Sequence, residues 1–127
     1  MRIQPVFFAS PVYYQQENFI TEARVMLDLI QGMVPAEKDW LPPVHLYSQT
    51  DVEKFLAAGG SATPLLVILS GATQRWALAV AKASKQSLLW WYFPGDGLFS
   101  ESAEQTIRQI VSKNALPAVL DCWAHLR

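Results

Sequence analysis

Pro64-Leu65-Leu66-Val67-Ile68-Leu69 is a continuous apolar stretch, and Ser70-Gly71-Ala72-Thr73 follows it directly. An apolar run of this length without polar alternation is typical of a strand that is buried on both faces, as in a parallel sheet covered by helices. The pattern changes to helical spacing from Thr73 to Ser84. These segments predict a strand, a turn and a helix, which is the repeating unit of the α/β class.

Strand-like and helix-like segments also alternate through the rest of the chain. Short apolar runs rich in β-branched and aromatic residues predict strands at Ile3–Ala9, Val44–Tyr47 and Ser87–Phe93. Helical spacing and capping residues predict four further helices. The first is Glu17–Ile30, and the second runs from Ser48, Thr50 or Asp51 to Ala58. The third runs from Ser100 through Val111, and the last begins at Leu116 or Pro117.

The connections carry residues that end or interrupt regular structure. Gly32 is expected to end the first helix, because glycine is favoured just past a helix terminus. Residues 33–43 contain three prolines and are predicted to form a mobile surface loop in which Trp40 to Pro43 is a connection. Pro94-Gly95-Asp96-Gly97 is predicted to be a turn.

Four predicted strands that alternate with helices favour parallel pairing through right-handed helical crossovers. We therefore predict a single α/β domain over residues 1–127. Its architecture is expected to be a three-layer sandwich around an open, parallel four-stranded sheet with the strand order 2-1-3-4.

The composition excludes several classes of protein. Ten basic and eleven acidic residues are spread without a basic stripe, so nucleic-acid binding is not expected. The longest apolar runs, Leu65–Leu69 and Leu88–Phe93, are too short to cross a bilayer, and the N-terminus does not have the pattern of a signal peptide. The single cysteine, Cys122, excludes an internal disulfide and is consistent with a cytoplasmic protein.

In an open parallel sheet, ligands bind outside the carboxyl ends of the strands, near the point where the strand order reverses. Strands one and three flank that point in the predicted order. The candidate ligand-binding residues at this rim are Ser10, Tyr13, Ser70, Gly71, Thr73 and Asp96. The small-residue turn at Ser70 lets the backbone approach a ligand, and the next helix offers free N–H groups. The alternative interpretation is an ordinary strand-to-helix turn with Thr73 as the helix cap.

Motifs that carry chemistry are not found. The sequence contains neither of the glycine-rich nucleotide motifs and no G-x-S-x-G nucleophile turn. His45 and His125 have no carboxylate or cysteine at metal-ligand spacing, so we expect solvated or core histidines. Cys122 lies beside Trp123 in a predicted helix, where a buried inert thiol is usual. We predict no catalytic residue, no metal and no cofactor.

The fourth predicted strand is unusually aromatic, because it contains Trp90-Trp91-Tyr92. Trp90 and Tyr92 share one face of a strand while Trp91 points to the other. Large aromatic residues on both faces fit a strand covered by helices. The alternative is an edge strand that meets a partner subunit, because aromatic residues are enriched at interfaces.

Two motifs in the second half of the chain, Leu69-Ser70-Gly71-Ala72-Thr73-Gln74 and Asn114-Ala115-Leu116-Pro117-Ala118-Val119-Leu120-Asp121, resemble the N-terminal domain of the L-fucose/L-arabinose isomerase-like family. That family has a Gly-Gly-Thr-Glu turn after a strand and an Asn-Ser-Leu-Pro-Ala-Ala-Leu-Glu helix start. This sequence departs from the pattern at four positions: Ala72, Gln74, Ala115 and Asp121.

The resemblance implies a Rossmann-like or flavodoxin-like domain that helps to shape a sugar site and packs into oligomers. It implies a polyol-facing rim at Ser70, Gly71, Thr73 and Asn114, the positions that match. The family's metal-binding residues belong to later domains, and this sequence ends in a helix that starts near Leu116. We therefore expect a stand-alone domain without isomerase activity.

The expected function is the binding of a small carbohydrate-like ligand or of a partner protein by a non-catalytic domain. One alternative is a small enzyme or accessory subunit that uses the strand-end rim. The other is an oligomerisation module, a homo-oligomer built on the strand that contains Trp90 and Tyr92. No nucleic acid and no membrane is expected as a partner.

Overall fold

A computed structural model describes residues 2–33 and 39–90. In chain order its elements are β1 (Arg2–Phe8), α1 (Gln16–Met33), β2 (Asp39–Trp40), β3 (Val44–Leu46), α2 (Gln49–Ala58), β4 (Thr63–Ile68), α3 (Gln74–Ala83) and β5 (Leu88–Leu89). The predicted turn at Pro94–Gly97 and the predicted helices from Ser100 and from Leu116 or Pro117 lie outside the described residues.

The sheet is parallel wherever its pairing is described. β1 is central: it pairs with β4, where Val6 is opposite Leu66, and on its other side with β2 and β3. β5 pairs with β4, with Leu88 opposite Leu65. The pairing follows the path β2-β1-β4-β5, with β3 also beside β1. The prediction of an α/β fold with a parallel sheet is confirmed.

The connection predicted at Trp40 to Pro43 contains an additional short strand. Asp39 and Trp40 lie opposite Arg2 and Ile3 as β2, and the Leu41 N–H donates to the Ile3 carbonyl at 2.8 Å. Pro42 and Pro43 follow, and neither has an N–H to donate, so the ladder stops and resumes at β3. The described sheet therefore has five strands where four were predicted.

The prediction that Gly32 ends the first helix is wrong, because α1 continues to Met33. Positive backbone φ angles among the described glycines occur at Gly59 and Gly60. Glycine favours a helix end because it tolerates the left-handed conformation, but it also adopts helical angles at a cost of about 1 kcal/mol. In this chain Gly32 adopts the helical conformation as part of α1.

The hydrophobic core lies on both faces of β1 and β4. Phe7 and Val67 are paired neighbours on one face, and both are fully buried. Phe8 and Ile68 form the corresponding pair on the other face and are also fully buried. The helices contribute the buried residues Phe19, Ala23, Ile30, Val52, Ala77, Val80 and Ala81. Burial on both faces explains why these strands are continuously apolar.

Candidate functional site

The carboxyl ends of β1 and β4 are joined by two hydrogen bonds. The Leu69 N–H donates to the Phe8 carbonyl at 2.9 Å, and the Ser10 N–H donates to Ser70 Oγ at 2.8 Å. Ser10 and Ser70 are both buried. The two segments predicted to form the rim are therefore direct neighbours, and a bond between backbone and side chain fixes their spacing.

The hydroxyl groups of the turn after β4 are used within the turn. Ser70 Oγ donates to the Gly71 carbonyl at 2.9 Å, and Thr73 Oγ1 donates to the Ser70 carbonyl at 3.0 Å. Ser70 and Thr73 have no exposed surface, and Gly71 is also buried. Their arrangement holds the rim in shape. Direct contact between a ligand and Ser10, Ser70, Gly71 or Thr73 stays a prediction.

Thr73 occupies the N-cap position of α3, but its side chain makes no capping hydrogen bond. The alternative interpretation of Thr73 as the helix cap is therefore correct in position, but the cap is made without a hydrogen bond from the Thr73 side chain to the helix. The Thr73 hydroxyl donates to the carbonyl of Ser70. At α2 the expected capping does occur: Ser48 accepts from the Asp51 N–H at 3.1 Å.

Ala72 is exposed and has a φ of 58°, in the left-handed region. This conformation is unfavourable for a residue with a Cβ atom and is accessible to glycine. Ala72 is also a position at which the sequence departs from the Gly-Gly pattern of the family that it resembles. The backbone conformation of the turn is thus one that glycine adopts more readily than the alanine present.

The loop after β1 wraps around Ser10. The Ser10 carbonyl accepts from the N–H groups of Tyr13 and Tyr14, both at 3.0 Å, and Ser10 Oγ accepts from the Val12 N–H at 3.1 Å. The bonds turn the chain sharply outward, so that Val12 is 76% exposed and Tyr13 is 51% exposed. Of the predicted site residues in the described part of the chain, Tyr13 is the one whose side chain faces solvent.

A cleft of about 520 Å³ opens beside Tyr13, and we call it the rim cleft. Its lining consists of Tyr13, Tyr14, Asn18, Thr21 and Glu22. Tyr14 Oη donates to Glu22 Oε2 at 2.5 Å, and Thr21 Oγ1 donates to a backbone carbonyl of its own helix at 3.0 Å. The rim cleft is therefore a polar site with an exposed aromatic ring at one edge.

The sequence interpretation identified Tyr13 but missed the three cleft residues that α1 provides. Asn18, Thr21 and Glu22 are at positions i, i+3 and i+4 of a segment that was predicted to be helical. This spacing places side chains on one face of a helix. These three residues could therefore have been identified from the sequence, as a polar stripe on a predicted helix that begins directly after the loop with Tyr13.

Tyr14 ties the rim cleft to the core. Its carbonyl accepts a hydrogen bond from the Tyr47 hydroxyl, and its ring lies 6.4 Å from the ring of Phe19, measured between centroids. Burial, followed by the hydrogen bond and charge of Glu22, raises the pKa of Tyr14 above its usual range. The phenol therefore stays protonated at neutral pH and remains a donor to Glu22.

His45 is an aromatic component of the core. Its ring stacks on Phe7 at a centroid distance of 5.7 Å and meets the edge of Phe19 at 5.6 Å. Burial lowers its pKa. A cavity of about 90 Å³ lies between α1 and β3, with Ala23, Leu27 and His45 among its lining residues. We expected either a solvated or a core histidine, and His45 packs against the core.

A second cleft, of about 320 Å³, lies at the amino ends of β1 and β4. Phe55, Leu56 and Pro64 contribute apolar surface, and Arg2 contributes a charge. Arg2 is 3.7 Å from Asp39 in an exposed ion pair. α2 and α3 also end at this cleft, and helix C-termini carry negative partial charge that opposes anion binding. The residues of this cleft were not predicted as a site.

Trp90 is the last residue of the aromatic strand segment that the structure describes. Trp90 is half-buried, and its N–H donates to the Leu66 carbonyl at 2.9 Å, so it continues along β4. Trp91, Tyr92, Asp96, Asn114, Cys122 and His125 lie outside the described residues.

Across residues 2–33 and 39–90, no group of three or more His, Cys, Asp or Glu side chains could hold a metal ion. No helix in the same part of the chain is long and apolar enough to cross a membrane.

No protein-family model matches the chain, and no curated protein and no solved structure shows significant similarity to it.

Proposed function

We propose that this chain is a non-catalytic α/β domain that binds a small carbohydrate-like ligand in the rim cleft. The observation that carries the proposal is that Tyr13 and Tyr14, which line the cleft, donate their N–H groups to Ser10 at the fixed junction of β1 and β4. Ligands of open parallel sheets bind at this edge. The resemblance to the N-terminal domain of sugar isomerases, whose site faces a polyol, supports the same class of ligand.

We also propose the three-layer, Rossmann-like or flavodoxin-like architecture. α1 packs on the face of the sheet that carries Phe7, because Phe19 of α1 contacts His45 and the His45 ring stacks on Phe7. α2 and α3 contact each other, and α3 also contacts β4. The full burial of Phe8 and Ile68, on the face opposite Phe7, supports a helical layer on that face as well. The strand order then reverses between β1 and β4, and the loop that follows β1 there carries Tyr13 and Tyr14 of the rim cleft.

The chemistry of the rim cleft suits recognition of a hydroxyl-rich ring. Binding sites for small molecules combine aromatic surface with a few well-placed polar groups. Tyr13 provides an exposed ring for the apolar face of a sugar. Asn18 and Glu22 provide an amide and a carboxylate for its hydroxyl groups. Ser70 donates its hydroxyl proton to a backbone carbonyl, which supports a structural role for this serine rather than a nucleophilic one.

A thermal-shift screen against monosaccharides, polyols and nucleotides tests the proposal. We expect a sugar or polyol to raise the melting temperature, because a ligand that binds the folded state stabilises it. Tyr13→Ala should abolish the shift. Val12→Ala is the matched control, because Val12 is the more exposed neighbour and does not line the cleft. No shift with any sugar or polyol would contradict the proposal.

A partner protein is the second candidate, since Val12 and Tyr13 present adjacent apolar surface at the rim. Exposed hydrophobic patches often mark interaction sites. A melting temperature that rises with protein concentration, and that loses this dependence in Val12→Ala, would favour assembly over sugar binding.

A further inference from the structure

The rim cleft contains more hydrogen-bond acceptors than donors. The Glu22 carboxylate only accepts, and one of its oxygens is already bonded to Tyr14. The hydroxyls of Tyr14 and Thr21 donate within the protein, so each presents an accepting oxygen to a ligand. Asn18 and Tyr13 can both donate and accept. A ligand that fits this set must therefore supply mainly donors.

Glu22 is also the one charged side chain among the residues that line the rim cleft. Arg2 and Asp39 form the ion pair within the described residues, and neither lines the rim cleft, so the Glu22 carboxylate has no ion-pair partner among those residues. Arg24 is two positions along α1, where it faces the cavity beside His45 instead. The N-terminus of α1 carries a positive partial charge of about half a unit. This partial charge falls off within the first turn of the helix, and Glu22 lies beyond that turn.

We infer that the rim cleft selects neutral or amine-bearing sugars over acidic ones, and that Glu22 is the residue that determines this preference. The inference rests on the proposed function and names its substrate class more narrowly. A neutral sugar donates hydroxyl hydrogens to Glu22 and Asn18. A protonated amino group adds an ion pair with Glu22 and a cation–π contact with Tyr13. A carboxylate or phosphate would approach Glu22 as a like charge.

The test measures thermal stabilisation and calorimetric affinity for matched sugars: the neutral, 2-amino and uronic acid forms of glucose and of galactose. We expect the amino form to bind at least as tightly as the neutral form. The uronic acid should bind on the order of fivefold more weakly, which corresponds to one like-charge pair at close range in water. Glu22→Gln should bring the neutral and acidic forms to similar affinity.

Glu17→Gln is the matched control, because it removes the same charge from the same helix outside the lining of the cleft. Glu17→Gln should leave the order of the affinities for the three sugar forms unchanged. Uronic acids that bind as tightly as neutral sugars would overturn the inference while leaving the proposed function intact. The same holds if Glu17→Gln and Glu22→Gln change the order equally. If none of the sugars binds, the proposed function fails, and the inference fails with it.

Discussion

The Ser10 N–H and Ser70 Oγ are 2.8 Å apart, although the two residues are separated by 60 positions in the chain. This buried hydrogen bond connects the loop after β1 to the turn after β4. Ser10 in turn accepts from Val12, Tyr13 and Tyr14. The shape of the loop that carries the exposed Tyr13 ring therefore depends on Ser70, which has no exposed surface.

Ser70→Ala should lower the free energy of unfolding by about 1–3 kcal/mol. The substitution leaves the buried Ser10 N–H without its partner, and an unsatisfied buried polar group carries a cost of this size. Urea denaturation of the wild type and the variant measures the difference. Ser61→Ala, an exposed serine, should change the stability by less than about 0.5 kcal/mol. Equal effects of the two substitutions would show that the hydrogen bond is not what holds the rim.

Ala72→Gly should raise the free energy of unfolding by about 1 kcal/mol. The φ of 58° at Ala72 is unfavourable for alanine and costs glycine little. Thermal and urea unfolding check the change. Ala57→Gly, at an exposed position of α2, should have the opposite sign and lower stability by about 1 kcal/mol. A destabilised Ala72→Gly protein would mean that the turn does not hold this residue in the left-handed conformation.

His45 should make the stability depend on pH near neutrality. Burial lowers its pKa in the folded protein, so the unfolded chain binds more protons. The stabilisation is fully present above the unfolded pKa of about 6.5 and is lost as the pH falls through the folded value. The measurement compares urea unfolding at a pH of about 7.5 and about 5.

His45→Phe preserves the ring contacts with Phe7 and Phe19 and removes the titration. The difference between wild type and variant isolates His45, because both proteins share every other titrating group. His45→Gln provides a second neutral replacement in case phenylalanine does not fit. An identical pH dependence in the wild type and in both variants would refute the assignment of His45 to the core.

Tyr47→Phe should loosen the loop without unfolding the domain. The variant loses the hydrogen bond to the Tyr14 carbonyl but keeps the ring stacked on Phe19 at 5.8 Å. We expect faster amide hydrogen exchange at Tyr13 and Tyr14, since low local stability permits local opening. The Ala77 N–H, bonded within α3 to Thr73, is the internal control. Unchanged exchange at both tyrosines would show that Tyr47 does not anchor the loop.

The sequence was sufficient to predict the strands that are buried on both faces. The apolar run at Pro64–Leu69 favours a strand that is buried on both faces, and the structure has β4 at Thr63–Ile68. The two-residue β2 could not be predicted, because its pairing depends on Arg2 and Ile3 and not on its own composition. Prolines at positions 42 and 43 suggested a loop, whereas they only interrupt a ladder.

The sequence predicted that the ends of β1 and β4 lie side by side, but not which of their hydroxyl groups are exposed. Strand ends locate the rim, because the topology of a parallel sheet brings them to one edge. Which hydroxyls face solvent is a tertiary property: Ser70 and Thr73 have the composition of a ligand loop but are buried by their own turn. Glu22 faces the rim cleft because α1 begins at Gln16, directly after the loop around Ser10.

The most direct test of carbohydrate binding in the rim cleft is a sugar titration followed by two-dimensional NMR of the backbone amides. Binding in the rim cleft predicts chemical-shift changes at Tyr13, Asn18 and Glu22, and none at Gly59 and Gly60, which line the cleft at the opposite end of the sheet. Changes confined to Gly59 and Gly60, or no changes with any monosaccharide or polyol, would contradict it.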